Sequence, residues 1–225
     1  MRRSSVQVGD ADTVGSAGAD NDDYASRGGH KLAGALASWP ELEIAGRICL
    51  DAGASHGGFT DVLLRRGARR VYAVDVGVGQ LRPALAADER VVVRDACNVR
   101  TLTPDQLGAT VDVTVCDLSF ISLAVVLPAL IACTDTTGDL VPMVKPQFEV
   151  GRGRHARGGV VRSGEVRADA VFAVAAAAAE LGWGTRGVCR SVLPGPAGNV
   201  EFFLWLRTDA PAPDRATLRA ATIGP

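Results

Sequence analysis

Apolar positions in this chain come in short unbroken runs, most of them closed by a charged residue and a turn. Ile48-Cys49-Leu50 runs into Asp51 and a glycine-rich turn, Val71-Tyr72-Ala73-Val74 into Asp75, and residues 91–94 into Asp95. Residues 111–116 end at Asp117, and residues 140–144 at Lys145. Short runs rich in valine, isoleucine and leucine, bounded by turns, read as buried strands. Helical spacing fills the gaps: residues 59–66, with Thr60 near the start and Gly67 as the stop, then 81–87, 125–133 and the long alanine-rich segment 162–181. Residues 187–193 and 200–206 are expected as a last pair of strands. Strands buried on both faces and separated by helices imply an α/β fold, a doubly wound parallel sheet closed by a C-terminal antiparallel hairpin.

The two ends lack this pattern. Residues 1–24 are rich in Gly, Ala, Asp, Ser and Asn, bury little, and are expected as a flexible tail. Asp209-Ala210-Pro211-Ala212-Pro213-Asp214 opens a second expected tail over residues 209–225, leaving a domain at 25–208.

Composition limits the function classes. The chain has 225 residues, 47% apolar and 22% charged, which suits one soluble domain with a sizeable core. Its formal net charge of −1 gives no global positive field, so nucleic-acid binding would require a local patch. Five cysteines fall mostly in apolar runs without a Cys-x-x-Cys pair, and His30 and His155 lack partners at metal-ligand spacing. A reducing, cytoplasmic setting with no metal and no disulfide framework is expected. No apolar stretch is long enough to span a bilayer and no signal-like segment opens the chain, so no membrane partner is expected.

Charge chemistry sharpens the picture. Only two lysines occur, Lys31 and Lys145, against twenty-two arginines. Arginine serves as well as lysine for solvated charge, but only an ammonium readily gives up or shares its proton. The two lysines are therefore candidates for proton chemistry.

Ligands of open α/β sheets bind beyond the strand C-termini, the edge that carries Asp51, Asp75, Asp117 and Lys145. The turn containing Gly53, Ala54, Ser55, Gly57, Gly58 and Phe59 offers glycines for close backbone passage and the free N–H groups of the next helix. Asp75, followed by Val76, stands where an acid would accept both hydroxyls of a nucleoside ribose. Asp95, followed by Ala96 and Asn98, could meet an adenine amino group. Dinucleotide dehydrogenases and S-adenosylmethionine enzymes share this geometry, but the spacing here is not the Gly-x-Gly-x-x-Gly of dinucleotide sites. Alone, the glycines could be purely structural; joined to two strand-end acids they read as a nucleoside site. Residues 151–159 form an expected basic loop after Lys145. Its Arg152, Arg154 and Arg157, together with Arg27, are candidate phosphate ligands, against the plainer reading of a solvated loop.

Six motifs, in order, resemble those of the TlyA (hemolysin A-like) methyltransferases, which are similar to the larger FtsJ-like group of ribose 2′-O-methyltransferases. They are Ser26-Arg27-Gly28-Gly29-His30-Lys31-Leu32, the turn from Asp51 to Thr60, Asp75-Val76-Gly77-Val78-Gly79-Gln80-Leu81, Asp117-Leu118-Ser119-Phe120-Ile121-Ser122-Leu123, Val144-Lys145-Pro146-Gln147-Phe148-Glu149, and the stretch from Gly198 to Leu206. The resemblance implies a Rossmann-like class I methyltransferase with a mostly parallel seven-stranded sheet and S-adenosyl-L-methionine as cofactor. It further implies a Lys-Asp-Lys-Glu catalytic set carried by Lys31, Asp117, Lys145 and Glu201. Isolated, Asp117 would read as a loop cap and Glu201 as an edge-strand acid. The implied acceptor is a ribose hydroxyl of ribosomal RNA, at cytidine, with ribosomal RNA or a ribosomal subunit as partner. The family usually carries a small RNA-binding domain ahead of the methyltransferase, and the twenty-five residues before Ser26 are too few to form it. That keeps a second acceptor class in view, a free nucleoside or nucleotide. A non-catalytic RNA-binding or membrane-acting protein is a third reading, weighed down by the complete catalytic set.

Overall fold

A computed structural model describes residues 24–150, 159–195 and 197–223. The first helix, α1 (Gly28–Ser38), precedes five strand–helix steps: β1 (Ile48–Ala52), α2 (Gly58–Arg65), β2 (Arg70–Val74), α3 (Pro83–Ala86), β3 (Val91–Arg94), α4 (Pro104–Leu107), β4 (Val111–Cys116), α5 (Leu123–Cys133), β5 (Thr134–Val144) and α6 (Pro146–Glu149). The chain ends with α7 (Gly164–Glu180), β6 (Gly184–Arg190), β7 (Phe202–Arg207) and α8 (Arg215–Ile223). The strands form one seven-stranded sheet in the order β3-β2-β1-β4-β5-β7-β6. β1 to β5 pair parallel, and β7 runs antiparallel to both of its neighbours. The expected doubly wound sheet with a C-terminal antiparallel pair is thus observed. Strand order reverses between β1 and β4, which opens a crevice beyond Asp51 and Asp117.

The apolar runs are continuous because both faces of the sheet are covered. On β7, Phe202, Leu204 and Leu206 pack with α5, α7 and α8 residues such as Leu127, Leu130, Val171 and Val174. The alternate residues Phe203 and Trp205 pack on the other face with Leu32, Leu36 and Trp39 of the α1 region and with Val62 and Leu63 of α2. Period-two alternation sends neighbours to opposite layers, and each fully buried large side chain contributes roughly 1.5–3 kcal/mol.

Three expectations are corrected. The helix expected at 81–87 is α3 alone, because Pro83 at its first position sets its start. The strand expected at 187–193 begins at Gly184, where the Thr185 N–H donates to the Pro211 carbonyl at 2.8 Å, and ends at Arg190. Residues 209 onward, expected as a tail, include α8, whose Leu218 and Thr222 are buried. Arg215 and Arg219 of α8 pair with Asp169 and Glu165 of α7. Pro211, Pro213 and the surrounding polar residues masked this short helix, whose deeply buried apolar anchor is Leu218. The residues expected as the N-terminal tail lie outside the described residues, apart from Tyr24.

Candidate active site

Four charged residues meet at the C-terminal edge of the sheet in two ion pairs. Lys31, one turn into α1, donates from Nζ to Glu201 Oε2 at 2.5 Å, an approach spanning 170 positions of sequence. Lys145, at the end of β5, lies 2.6 Å from Asp117 Oδ1 at the end of β4 and donates to Ser119 Oγ at 2.9 Å. Both lysines are buried, at 7% and 9% exposure, and Glu201 is 1% exposed. The chain's two lysines are therefore held against carboxylates, where a mobile surface cation would not be.

Local chemistry explains how these groups come together. Gly58 admits the entry to α1: a Cβ there would lie 2.3 Å from Ser26 Oγ and 2.8 Å from the Gly29 nitrogen. Gly53, at φ +89°, lets the first turn pass under the Asp117 carbonyl, which a Cβ would meet at 2.5 Å. These turn glycines thus answer to close approach of protein segments. Glu201 is backed by Gly195, where a Cβ would lie 2.6 Å from Oε1. The loop carrying Gly195 is tied down by Asn199, which accepts from the Val161 N–H at 2.9 Å and donates to the Gly159 carbonyl at 3.1 Å.

The ion pairs border a cavity of about 300 Å³ lined by Ser26, Arg27, Gly28, Lys31, Gly53, Ala54, Ser55, Gly58, Phe59, Asp117, Ser119, Lys145 and Pro194. A second cavity of about 180 Å³ shares Gly53 and Ser119 with the first. Its other walls are Asp75, Val76, Asn98, Val99, Leu118, Ile121 and Val126, a polar acid against mostly apolar sides. Asp75 is fixed by the Ser55 N–H at 2.9 Å and the Gly77 N–H at 2.7 Å. Each oxygen keeps a lone pair for a further donor. Asp51 is fully buried and accepts from Thr60 Oγ1 at 2.7 Å, while its Oδ1 has no hydrogen-bond partner among the described residues. Burial raises its carboxyl to about 7, opposed by the Thr60 hydrogen bond. A strand-end acid with lone pairs to spare and a cavity with apolar walls fit a nucleoside cofactor, whereas Asp51, expected to touch the cofactor, is fully buried and lines neither cavity.

The expected residues divide accordingly. The structure brings Gly53, Ala54, Ser55, Gly58, Phe59, Asp75, Val76 and Asn98 to the two cavities, with Arg27 and the four charged residues around them. Gly57 meets Leu81 and Leu85 instead. Asp95 and Ala96 are exposed and line neither cavity; Asp95 accepts from the Gly79 N–H at 2.8 Å. Arg152, Arg154 and Arg157 lie outside the described residues. Ser119 and Pro194 were missed. Ser119 stands two positions after Asp117 within a quoted motif, so its sequence could have suggested it; Pro194 had no such signal.

The FtsJ-like methyltransferase family matches residues 24–208. The chain belongs to this family. It is 58% identical over 193 residues to the 16S/23S rRNA (cytidine-2′-O)-methyltransferase TlyA of Mycobacterium tuberculosis, covering 86% of this chain and 70% of that one. It is 32% identical over 185 residues to the 23S rRNA (cytidine-2′-O)-methyltransferase TlyA of Campylobacter jejuni, covering 81% and 70%. A solved Streptococcus thermophilus protein described as a hemolysin superposes with a TM-score of 0.85 at 39% identity, covering 89% of this chain and 73% of that one. The protein is a methyltransferase, in line with the resemblance of its motifs. Among the described residues no helix is long and apolar enough to cross a membrane.

Proposed function

We propose that the protein transfers a methyl group from S-adenosylmethionine to the 2′-hydroxyl of a cytidine in ribosomal RNA. The observation that carries this reading is the pairing of Lys145 with Asp117 and of Lys31 with Glu201 around one cavity that adjoins a second, walled by Asp75 and apolar side chains. Names of the relatives from M. tuberculosis and C. jejuni support the ribose of cytidine as acceptor.

In this reading Asp75 receives the cofactor ribose, and Val76, Val99, Leu118 and Ile121 enclose the base. When bound, the cofactor supplies an electrophilic methyl on a sulfonium. The residues of the chain do the rest. Asp117 and Ser119 occupy two of the hydrogen-bonding directions of Lys145, leaving the third for the acceptor oxygen. Lys145 so placed aligns the hydroxyl and, handing one of its own protons to Asp117, takes the hydroxyl proton as the new carbon–oxygen bond forms. Asp117 then holds the resulting ammonium. Lys31, anchored by Glu201, adds fixed positive charge beside the developing alkoxide.

Phe120 supports an acceptor with a flat base. Its side chain is 90% exposed, its backbone takes φ +66°, and its ring lies 5.1 Å from that of Phe148. A left-handed conformation in a bulky residue costs on the order of 1–3 kcal/mol and persists where function holds it. An exposed aromatic face is a stacking platform for a base.

Incubation with labelled cofactor, comparing ribosomal subunits, naked ribosomal RNA and free cytidine nucleotides, tests the reading. Label should enter RNA as 2′-O-methylcytidine. Label entering only mononucleotides, or none of these acceptors, overturns the RNA assignment.

A further inference from the structure

Beside the catalytic cavity, on the β6 side, lies an open recess of about 420 Å³ lined by Arg190, Ser191, Val192, Pro194, Gly198 and Val200. Pro194 also lines the catalytic cavity, so the two recesses share a wall. Arg190 is the last residue of β6 and is exposed. Its charge bears on Arg167, near the start of α7, whose guanidinium is pushed below its ordinary pKa by burial first and by Arg190 second. The Nε of Arg167 is shielded from solvent and has no hydrogen-bond partner among the described residues.

Carboxylates that could neutralise this pair are engaged elsewhere. Glu165 and Asp169 flank Arg167 on α7, and α8 takes both through Arg219 and Arg215. Asp139 is likewise shared by Arg47 and Arg207, and Asp88 is held by Arg90. Among the described residues neither guanidinium has an ion-pair partner, and an anion bound beside them would offset their mutual repulsion. The recess wall is also fixed, because Asn199 fastens its loop to Val161 and Gly159.

We propose that Arg167 and Arg190 bind backbone phosphate of the acceptor RNA, holding the strand across the β6 end of the sheet next to the reacting ribose. The inference rests on the RNA reading above. Guanidinium forks match phosphate oxygens in bidentate geometry, and the recess that Arg190 shares with Pro194 puts it along a strand whose ribose occupies the catalytic cavity, with Arg167 near enough to feel its charge. They are positioning residues; neither borders the two lysine–acid pairs.

Two readouts separate this inference from the catalytic one. The first is binding of a fluorescent single-stranded oligoribonucleotide by anisotropy at several salt concentrations, which needs no methyl transfer. Arg190→Ala and Arg167→Ala should each weaken binding about tenfold, and each should flatten the slope of log affinity against log salt by roughly 0.7, one phosphate contact. Arg190→Lys should keep the slope, and calorimetric binding of S-adenosylmethionine should be unchanged in all three. The second readout is methylation of ribosomal RNA, where the alanine variants should raise KM and leave kcat within about twofold. Wild-type slope and affinity in both alanine variants overturn the inference, as does failure of the wild type to bind the oligonucleotide. Salt-dependent binding lost in the variants, without methylation by the wild type, sustains the phosphate site and removes the proposed reaction.

Discussion

At the N-terminal end of the parallel strands, Asp139 is 1% exposed and both its oxygens are engaged. Oδ1 accepts from Trp205 Nε1 at 2.7 Å and Arg207 Nη1 at 2.9 Å, and Oδ2 accepts from Arg47. At the opposite end of the same sheet, Asp51 and Glu201 are as deeply buried, at 0% and 1%, yet each leaves one oxygen without a hydrogen-bond partner among the described residues. A buried polar atom without a partner costs about 1–3 kcal/mol. One end of the sheet therefore uses burial of charge to close the fold, and the other carries buried polarity that the fold leaves unsatisfied beside its cavities.

The most damaging test of this contrast is Asp139→Ala. Removing the acid leaves Arg47 and the Trp205 indole N–H without their acceptor and Arg207 with Asp209 alone, and breaking a buried pair in this way costs about 3–5 kcal/mol. Denaturant unfolding should show that loss, while the folded fraction binds S-adenosylmethionine normally. A loss under about 1 kcal/mol would mean that solvent reaching the half-buried arginines replaces the acid, and the two ends would differ less than their geometry implies.

Asp51 gives the opposite signature. Its carboxyl is raised from 3.8 to about 7, mainly by burial, so the folded state holds a proton that the unfolded chain has released. Between those values the native state binds more protons, and stability contributed by this group falls as pH rises toward 7 and is flat above it. The span is on the order of 4 kcal/mol at most. In Asp51→Asn this downward slope should vanish, so the variant gains relative to wild type from pH 4 to pH 8. Parallel pH profiles for the two proteins would show that Asp51 is ionised and satisfied in the fold.

Lys145→Arg tests whether the catalytic end needs chemistry or only charge. A guanidinium keeps the positive charge against Asp117 but does not readily take a proton and is bulkier beside Ser119. Turnover should fall at least about a hundredfold, with melting temperature and cofactor affinity nearly unchanged. Lys31→Arg should be milder, because the ion pair with Glu201 asks mainly for charge. Near-wild-type turnover in Lys145→Arg would reduce the lysine to a structural cation.

These contrasts were unequally legible in the sequence. Four of the five parallel strands announced themselves because both their faces are buried, which makes them apolar runs ending at Asp51, Asp75, Asp117 and Lys145, while the edge strand β3 is only half-buried. The survival of two lysines among arginines drew the eye to Lys31 and Lys145. Their partners were reachable only through the resemblance of the motifs, since 170 positions separate Lys31 from Glu201. Nothing local marked Asp139, whose partners are 66, 68 and 92 positions away. α8 stayed hidden for the same reason, its arginines pairing with acids 46 and 54 positions earlier. Periodicity reports which face of an element is buried, and charge pairing across the fold leaves no periodic trace.

The smallest expected effect bears on strain at the catalytic end. Phe120 holds φ +66° with its ring in solvent, while Ser122 and Leu123, just beyond it, are clamped by Glu149 at 2.6 and 2.9 Å. The clamp fixes the loop after Asp117 and keeps the phenylalanine in a conformation that glycine or asparagine would adopt at less cost. Phe120→Gly relieves the strain but frees the unfolded chain and loses the contact with Phe148, so the net change should be small, within about 1 kcal/mol in either direction. Activity on RNA should nonetheless fall several-fold, through KM, because the stacking surface is gone; loss of one base–aromatic stack is worth about 1–3 kcal/mol. Phe120→Trp should restore most of the activity while leaving the strain in place. If the glycine variant is as active on RNA as wild type, the exposed ring has no acceptor role, and the strain at this end of the sheet belongs to loop closure alone.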